Sequence, residues 1–244
     1  FLKIPSGEIT NLPFVWRHAR TFKPLIISSG MSDLYDIEKA LATTLYARTV
    51  KEKPKNLQTV IDFWNLNKNN SIFEDIYILH CLSEYPAPQN QINLNAINTI
   101  KEKFKIKVGY SDHTVDKLAS LSAVALGASV IEKHFTLDKS LDGPDHSSSL
   151  NPIELKEMIS EIKEVSSMLG NGKKIPQKSE LNNIKKIRKQ IAAAKNINKG
   201  ELINENDIKV LRCGEGLSAE YYWDLVGSKA NESYEKNEIF KNDK

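Results

Sequence analysis

Short apolar runs that alternate with helical periodicity limit most strongly how this chain can fold. Each run has four or five residues and is rich in Ile, Val and Leu, which is typical of strands buried on both faces of a parallel sheet. Amphipathic segments separate the runs, so the pattern predicts five parallel β/α units. The predicted strands cover residues 1–5, 24–28, 77–81, 105–109 and 129–132.

Four helices follow from apolar residues spaced three or four apart. The longest is expected to begin at Asn151-Pro152-Ile153-Glu154, which supplies a cap, a first-turn proline and a capping-box acid, and to end at Gly170. Ser32 is placed to cap the first helix. The predicted helices cover residues 34–45, 94–104, 118–125 and 152–169.

Five strands can form an open doubly wound sheet, but a β/α barrel needs eight. The Gly-rich turn of a dinucleotide-binding open sheet is absent from the sequence. We therefore predict an α/β fold, namely the C-terminal five units of a (β/α)8 TIM barrel. On that prediction the chain is a fragment, and three units lie ahead of Phe1.

The composition of the sequence and its hydrophobic pattern change after the last predicted helix. Residues 173–195 hold eight basic residues and one acid, and 173–188 is predicted to be a linker. Beyond it, short β segments around turns and a short helix at 219–226 indicate a second, small domain. The predicted domains are thus 1–172, the partial barrel, and 189–244.

Composition excludes several classes of protein. The 34 basic and 31 acidic residues give a net charge of +3, which does not favour a nucleic-acid partner. No apolar run approaches the ~18 residues of a membrane span, so no membrane partner is expected. Two cysteines, Cys81 and Cys213, do not make a disulfide framework, and we interpret both as structural. A reducing, cytoplasmic location is the prediction.

Polar residues collect where the predicted strands end, the position of reacting groups in β/α barrels. His113 and His134 follow successive strands, 21 residues apart, so their rings are expected to be neighbours on one rim. Two adjacent imidazoles suit a divalent transition metal. The alternative is one structural and one surface histidine.

Other residues at these strand ends suit an anion. Ser6, Ser28 and Ser111 offer hydroxyl groups, although serine also terminates strands for reasons of turn chemistry. Lys3 lies inside an apolar strand, where it needs a carboxylate or an anionic ligand as partner. Asp145 lies in a Gly-Pro loop that either reaches over the barrel mouth or is a plain turn.

These residues lie in motifs that resemble the bacterial sialic acid synthase family, and most closely its legionaminic acid synthase branch. The C-terminal part resembles that family's antifreeze-like (SAF, β-clip) domain. The motifs are Ile-Pro-Ser-Gly-Glu-Ile-Thr-Asn-Leu-Pro at 4–13, Val-Gly-Tyr-Ser-Asp-His-Thr at 108–114, Ile-Glu-Lys-His-Phe at 131–135 and Gly-Pro-Asp-His at 143–146.

The resemblance implies condensation of phosphoenolpyruvate with an N-acylated hexose, either N-acetylmannosamine or 2,4-diacetamido-2,4,6-trideoxymannose. The products would be phosphate and N-acetylneuraminate or N,N'-diacetyllegionaminate. It also implies a divalent metal, Mn²⁺ or Mg²⁺, and a domain-swapped homodimer. By position, the resemblance makes His113 and His134 metal ligands, Glu8 a catalytic acid, Lys3, Ser6, Ser28 and Ser111 donor-binding residues, and Tyr85, Asp145 and Arg212 sugar-binding residues.

Some observations leave alternatives open. The family commonly has Arg-Pro where this chain has Arg212-Cys213. Three other functions compete with the synthase: an aldolase that acts on a sugar phosphate, a catalytically inactive paralogue that serves as a dimerisation or binding module, and an ice-binding last domain. Against the first, we interpret Lys133 as a neighbour of the metal site rather than as a Schiff-base lysine.

Overall fold

A computed structural model describes residues 1–68 and 73–241 and divides the chain into two compact units, Phe1–Asn171 and Gly172–Lys244. The first unit alternates strands with helices. Its strands are β1 (Leu2–Ile4), β2 (Leu25–Ser28), β3 (Ile76–Cys81), β4 (Lys107–Asp112) and β5 (Ile131–Lys133). Its helices are α1 (Leu12–Ala19), α2 (Leu34–Thr49), α3 (Leu57–Asn67), α4 (Ala96–Phe104), α5 (Leu118–Ala125) and α6 (Pro152–Leu169).

The five strands form one parallel sheet in the order β1-β2-β3-β4-β5. In a flat sheet the first and fifth strands would lie about 19 Å apart, at ~4.8 Å per step. Yet Lys3 Nζ on β1 and Glu132 Oε2 on β5 are only 3.2 Å apart. The sheet is therefore curled like half a barrel, and the predicted fold class is confirmed.

One face of the sheet carries the hydrophobic core of the first unit. Register partners on parallel strands point to the same side, and alternate residues share a face. The fully buried Ile4, Ile27 and Ile78 point outward, toward the helices. The helices contribute Ile37, Leu41, Leu45, Ile97 and Ile100 to the same cluster. The opposite, concave face carries polar side chains at the carboxyl ends of the strands, Lys3, Ser28, Ser111 and Glu132 among them.

Helix boundaries follow their caps. Asn151 caps helix α6 and forms the predicted capping box with Glu154. The cap predicted for α2 is wrong by one residue, because Asp33 rather than Ser32 accepts the first-turn N–H groups and Asp36 closes the box. Helices α1 and α3 were not predicted. Asparagines cap both, Asn11 and Asn56.

Strand β4 begins later and runs further than the predicted 105–109. Lys105 ends α4 in the left-handed region, with φ +53°, so it does not belong to a strand. The strand continues through Ser111 and Asp112, whose side chains find polar partners on opposite faces of the sheet.

The second unit has its own core. Strands β6 (Gln190–Ala193) and β7 (Ile208–Leu211) pair antiparallel, and α8 (Tyr222–Leu225) follows. Tyr234 stacks on Phe240 with ring centroids 4.0 Å apart, within a cluster that includes Ile191 and Ile203. The predicted linker contains a further helix, α7 (Leu181–Ile187). Across the described ranges of both units, no helix combines the length and apolarity needed to cross a bilayer.

Candidate active site

The concave face of the half-barrel collects polar side chains at the carboxyl ends of its strands. The strand registers pair Ser28 with Leu79, Cys81 with Ser111 and Ser111 with Glu132, so these residues share one side of the sheet. Lys3 lies on the same side, because its ammonium group contacts Glu132. His113 and His134 continue the alternation two residues beyond Ser111 and Glu132.

A chain of contacts crosses this face. Glu132 receives Lys3 Nζ at Oε2 (3.2 Å) and a hydrogen bond from Ser111 Oγ at Oε1 (2.8 Å). The side chains of Lys3 and Glu132 are 33% and 41% exposed, so the ion pair is open to solvent and to ligands. A positive and a negative group are thus held side by side beside the two histidines.

The histidine pair predicted from the spacing is adjacent in space. The ring centroids of His113 and His134 are 5.3 Å apart and their planes are nearly perpendicular, at 82°. The Tyr85 ring lies 4.1 Å from the first and 5.5 Å from the second. Asp145 Oδ2 lies 3.7 Å from His134 Nδ1. The loop residues Tyr85 and Asp145 therefore border the same small volume as the two imidazoles.

The hydrogen bonds of His113 determine which ring nitrogen is free. Its Nδ1 lies 2.8 Å from the carbonyl oxygen of Leu82, which can only accept, so Nδ1 carries the hydrogen. Ser111 Oγ lies 3.5 Å from Nε2, but its own hydrogen is donated to Glu132. The neutral ring therefore offers the Nε2 lone pair toward the concave face, which is how metal-ligating histidines are usually oriented.

Charge states in the cluster are shifted by burial and by contacts. Burial opposes a charged His113, but contact with Cys81 and the Leu82 carbonyl outweighs it and raises the pKa of the imidazole. Burial likewise opposes the Cys81 thiolate, but His113 and Ser6 more than compensate and lower the pKa of the thiol. Burial, followed by the charges of Cys81 and Asp145, raises the pKa of Tyr85.

The serines predicted to bind an anion lie at the ends of β1, β2 and β4. Ser6 Oγ accepts the backbone N–H of Gly30 (3.1 Å) and donates to Cys81 Sγ (3.7 Å). Ser28 is 2% exposed, and within the described part of the chain its hydroxyl has no hydrogen-bond partner. A buried hydroxyl without a partner is costly, so Ser28 has unused hydrogen-bonding capacity for a ligand.

Two predicted site residues are not joined to this cluster by the contacts described here. Glu8 Oε2 accepts a hydrogen bond from Asn11 Nδ2 (2.6 Å) at the start of α1. Arg212 is an exposed residue of the second unit that follows β7. Their predicted roles stay predictions.

The metal prediction rests on two donors from this chain and stays a prediction. Among the described residues, no group of three or more His, Cys, Asp or Glu side chains is arranged to hold a metal ion. Two neighbouring imidazoles, one of them with an identified free nitrogen, nevertheless have the donor chemistry that a divalent transition metal prefers. They fit an open site whose other ligands come from substrate, water or other residues.

The sequence analysis missed Glu132 and placed Lys133 on the wrong side of the sheet. Glu132 is two positions before His134, so strand periodicity was the signal that could have found it. Cys81, interpreted as structural, lines the cluster through Ser6 and His113. Lys133 is not a neighbour on the metal side. It points to the helix face, where its buried ammonium group pairs with Asp112.

Residues 1–174 match the NeuB family and residues 188–244 match the SAF domain. The chain belongs to the NeuB family. This NeuB-family chain is 43% identical over 239 residues to the N,N'-diacetyllegionaminic acid synthase of Campylobacter jejuni, covering 98% of the chain and 65% of that protein. It is 40% identical to the synthase of the same description from Legionella pneumophila, covering 93% of the chain and 58% of that protein.

A solved relative has the same fold over much of the chain. The N-acetylneuraminic acid synthetase of Leptospira borgpetersenii, crystallised with citrate, superposes with a TM-score of 0.62 and 33% identity, covering 75% of this chain and 55% of the other. The resemblance predicted from the motifs is therefore confirmed. The NeuB-family chain spans less than two thirds of the length of these curated relatives.

Proposed function

We propose that this chain contributes to a nonulosonic acid synthase that condenses phosphoenolpyruvate with an N-acylated hexose. The observation that carries the proposal is the cluster on the concave face, where Lys3, Ser111 and the pair of histidines lie together. Relatives at 40–43% identity are N,N'-diacetyllegionaminic acid synthases. They favour 2,4-diacetamido-2,4,6-trideoxymannose as the acceptor, ahead of N-acetylmannosamine.

The anionic donor is assigned to the side of the cluster that carries Lys3. The ammonium group of this partly exposed side chain can exchange the carboxylate of Glu132 for the carboxylate or the phosphate of the donor. Ser6, Ser28 and Ser111 add hydroxyl groups at neighbouring strand ends. Charge-assisted hydrogen bonds of this kind hold an anion and fix its orientation. They therefore contribute to substrate affinity and also lower the entropic part of the activation barrier.

The sugar is assigned to the side bordered by Tyr85 and Asp145. Both lie beside His134, one through its ring and the other through its carboxylate. Phenol and carboxylate groups suit sugar hydroxyls and the N–H of an acyl group. A divalent metal held by His113 and His134 would act as a Lewis acid that polarises the aldehyde of the sugar.

The proposed reaction balances without a redox cofactor. The vinyl carbon of phosphoenolpyruvate forms a bond to the aldehyde carbon of the open-chain sugar, whose oxygen takes up a proton. Water adds to the carbon that bears the phosphate ester, and loss of inorganic phosphate leaves a 2-keto acid. The residues of this chain hold the two substrates in line for bond formation.

The test uses protein expressed from the complete coding sequence. It is incubated with Mn²⁺ or Mg²⁺, phosphoenolpyruvate and one of three sugars: the diacetamido trideoxyhexose, N-acetylmannosamine or its 6-phosphate. We expect phosphate release and a nonulosonic acid product by mass spectrometry with the first sugar, and loss of both in His134→Ala. Lys39→Met, on α2, is the matched control. Absence of phosphate release with every sugar would refute the proposal and favour the inactive paralogue.

A further inference from the structure

Two opposite charges are buried directly behind the histidine pair, on the helix face of the sheet. Asp112 is fully buried and the Lys133 side chain is 3% exposed, with Nζ and Oδ2 3.1 Å apart. The proposed reaction uses neither side chain. Each, however, precedes one of the two histidines in sequence, Asp112 before His113 and Lys133 before His134.

The carboxylate of Asp112 is fully engaged. Its Oδ1 accepts the backbone N–H of Thr114 (2.9 Å) and the Thr114 hydroxyl (2.8 Å). Its Oδ2 accepts from Ser120 Oγ (2.5 Å) on α5 as well as from Lys133. Residues on both sides of His113 are thereby fixed, because Asp112 and Thr114 flank it and bond to each other.

The ammonium group of Lys133 is equally engaged. Besides Asp112, it donates to the backbone carbonyl of Thr114 and to that of Asp116 (2.7 Å). It therefore ties β5 to the loop that follows β4, on the far side of His113. One lysine thus links the strand that carries His134 to the segment that carries His113.

Stability alone is a weak reason for such a pair. Buried ion pairs can often be replaced by apolar residues at no cost in stability, and their best attested role is to fix register. Here Asp112 and Lys133 are register partners across β4 and β5. The next residues along the two strands are the histidines, whose carbonyl oxygens are taken by the backbone N–H groups of Ala87 and Leu150 (2.9 Å each).

We propose that the Asp112–Lys133 pair is a positioning device that fixes the separation of His113 and His134 for a shared divalent cation. The inference rests on the proposed function, because it takes the histidines as metal ligands. Outer-sphere groups that orient ligands typically change metal affinity 10- to 100-fold when removed. The pair acts through the backbone of the two strands rather than by contact with the metal.

The test measures Mn²⁺ binding without substrates, by electron paramagnetic resonance of free Mn²⁺, on protein from the complete coding sequence. We expect Lys133→Met to raise the Kd for Mn²⁺ by about 10- to 100-fold. The control Lys39→Met removes a less buried lysine, paired with Asp36 at 2.8 Å on α2, and should leave the Kd unchanged.

A second variant keeps the inference testable if Lys133→Met does not fold, since it leaves Asp112 buried without its counter-charge. The double variant Asp112→Asn/Lys133→Met is neutral and is expected to fold with a weakened Mn²⁺ site. A folded double variant with unchanged Mn²⁺ affinity would overturn the inference and leave the proposed function standing. Absence of Mn²⁺ binding by the unsubstituted protein would remove the metal from the proposed function and the inference with it.

Discussion

Replacement of Lys3 by methionine should have a small effect on the stability of the protein and a large effect on its affinity for phosphoenolpyruvate. Methionine keeps most of the apolar stem and removes the charge. The ion pair with Glu132 is 3.2 Å long, and the side chains of Lys3 and Glu132 are 33% and 41% exposed. Such pairs contribute about 0.2–1 kcal/mol to stability. For a chain of this size, that is a fall in Tm of no more than about 4 °C.

The effect on donor binding is expected to be larger. A hydrogen bond to a charged group contributes about 1.5–3 kcal/mol. At about 1.36 kcal/mol per factor of ten, this corresponds to a rise of roughly 10- to 150-fold in the KM for phosphoenolpyruvate. The KM for the sugar should change little, because the sugar is assigned to the side of Tyr85 and Asp145.

A close control exists in the same unit. Lys117 pairs with Glu161 at 2.6 Å and with Glu157 at 3.1 Å, and its side chain is 30% exposed, nearly the value of Lys3. Lys117→Met removes two such pairs, so it should cost at least as much stability as Lys3→Met without a change in either KM. Phosphate release at varied phosphoenolpyruvate, together with thermal unfolding, measures both quantities. An unchanged donor KM in Lys3→Met, or a Tm loss far beyond that of Lys117→Met, would refute the reasoning.

Three further outcomes follow from other parts of the chain. Gly109→Ala places a methyl group 2.4 Å from the carbonyl oxygen of Val130, so we expect a loss of about 1–3 kcal/mol or more by urea unfolding. The backbone N–H that opens α6, then a nearby lysine, lowers the pKa of Glu154. The stabilisation from the charged Glu154 is therefore present above its ordinary pKa of 4.5 and is lost as the pH falls through the lowered value, so the Tm difference from Glu154→Gln should close in acid. Arg212→Ala should raise the KM for the sugar more than that for phosphoenolpyruvate, and equal effects in steady-state kinetics would count against its sugar role.

The sequence predicts the location of the site better than its surroundings. The histidines were found because the spacing of one β/α unit places successive strand ends side by side, and this depends only on topology. Their environment depends on where β4 and β5 end. The apolar run stops at Gly109, but the strand continues because Ser111 bonds to Glu132 and Asp112 to Lys133. These partners are 21 residues away, so the sequence of β4 itself does not reveal them.

The same limit explains the error on Lys133. Proximity in sequence to His134 suggested proximity in space, whereas strand periodicity places neighbouring residues on opposite faces. Helices α1 and α3 carried the usual asparagine caps, at Asn11 and Asn56, and were missed although both are rich in apolar residues. The role predicted for Arg212 supposes contact with a second copy of the chain, so it stays a prediction.

One face of the sheet carries the hydrophobic core and the other carries the candidate site, and the Asp112–Lys133 ion pair lies on the face of the core. On the helix face, Ile4, Ile27 and Ile78 are fully buried among apolar side chains. On the concave face, the charges of Lys3 and Glu132 are open to solvent and pair loosely enough for a ligand to compete. Asp112 and Lys133 break the rule, since they place two charges in the face that otherwise holds the core. Burying these two charges costs desolvation free energy, and the proposed reaction uses neither of them. The pair is best explained by the register of β4 against β5, which sets the separation of the two imidazoles.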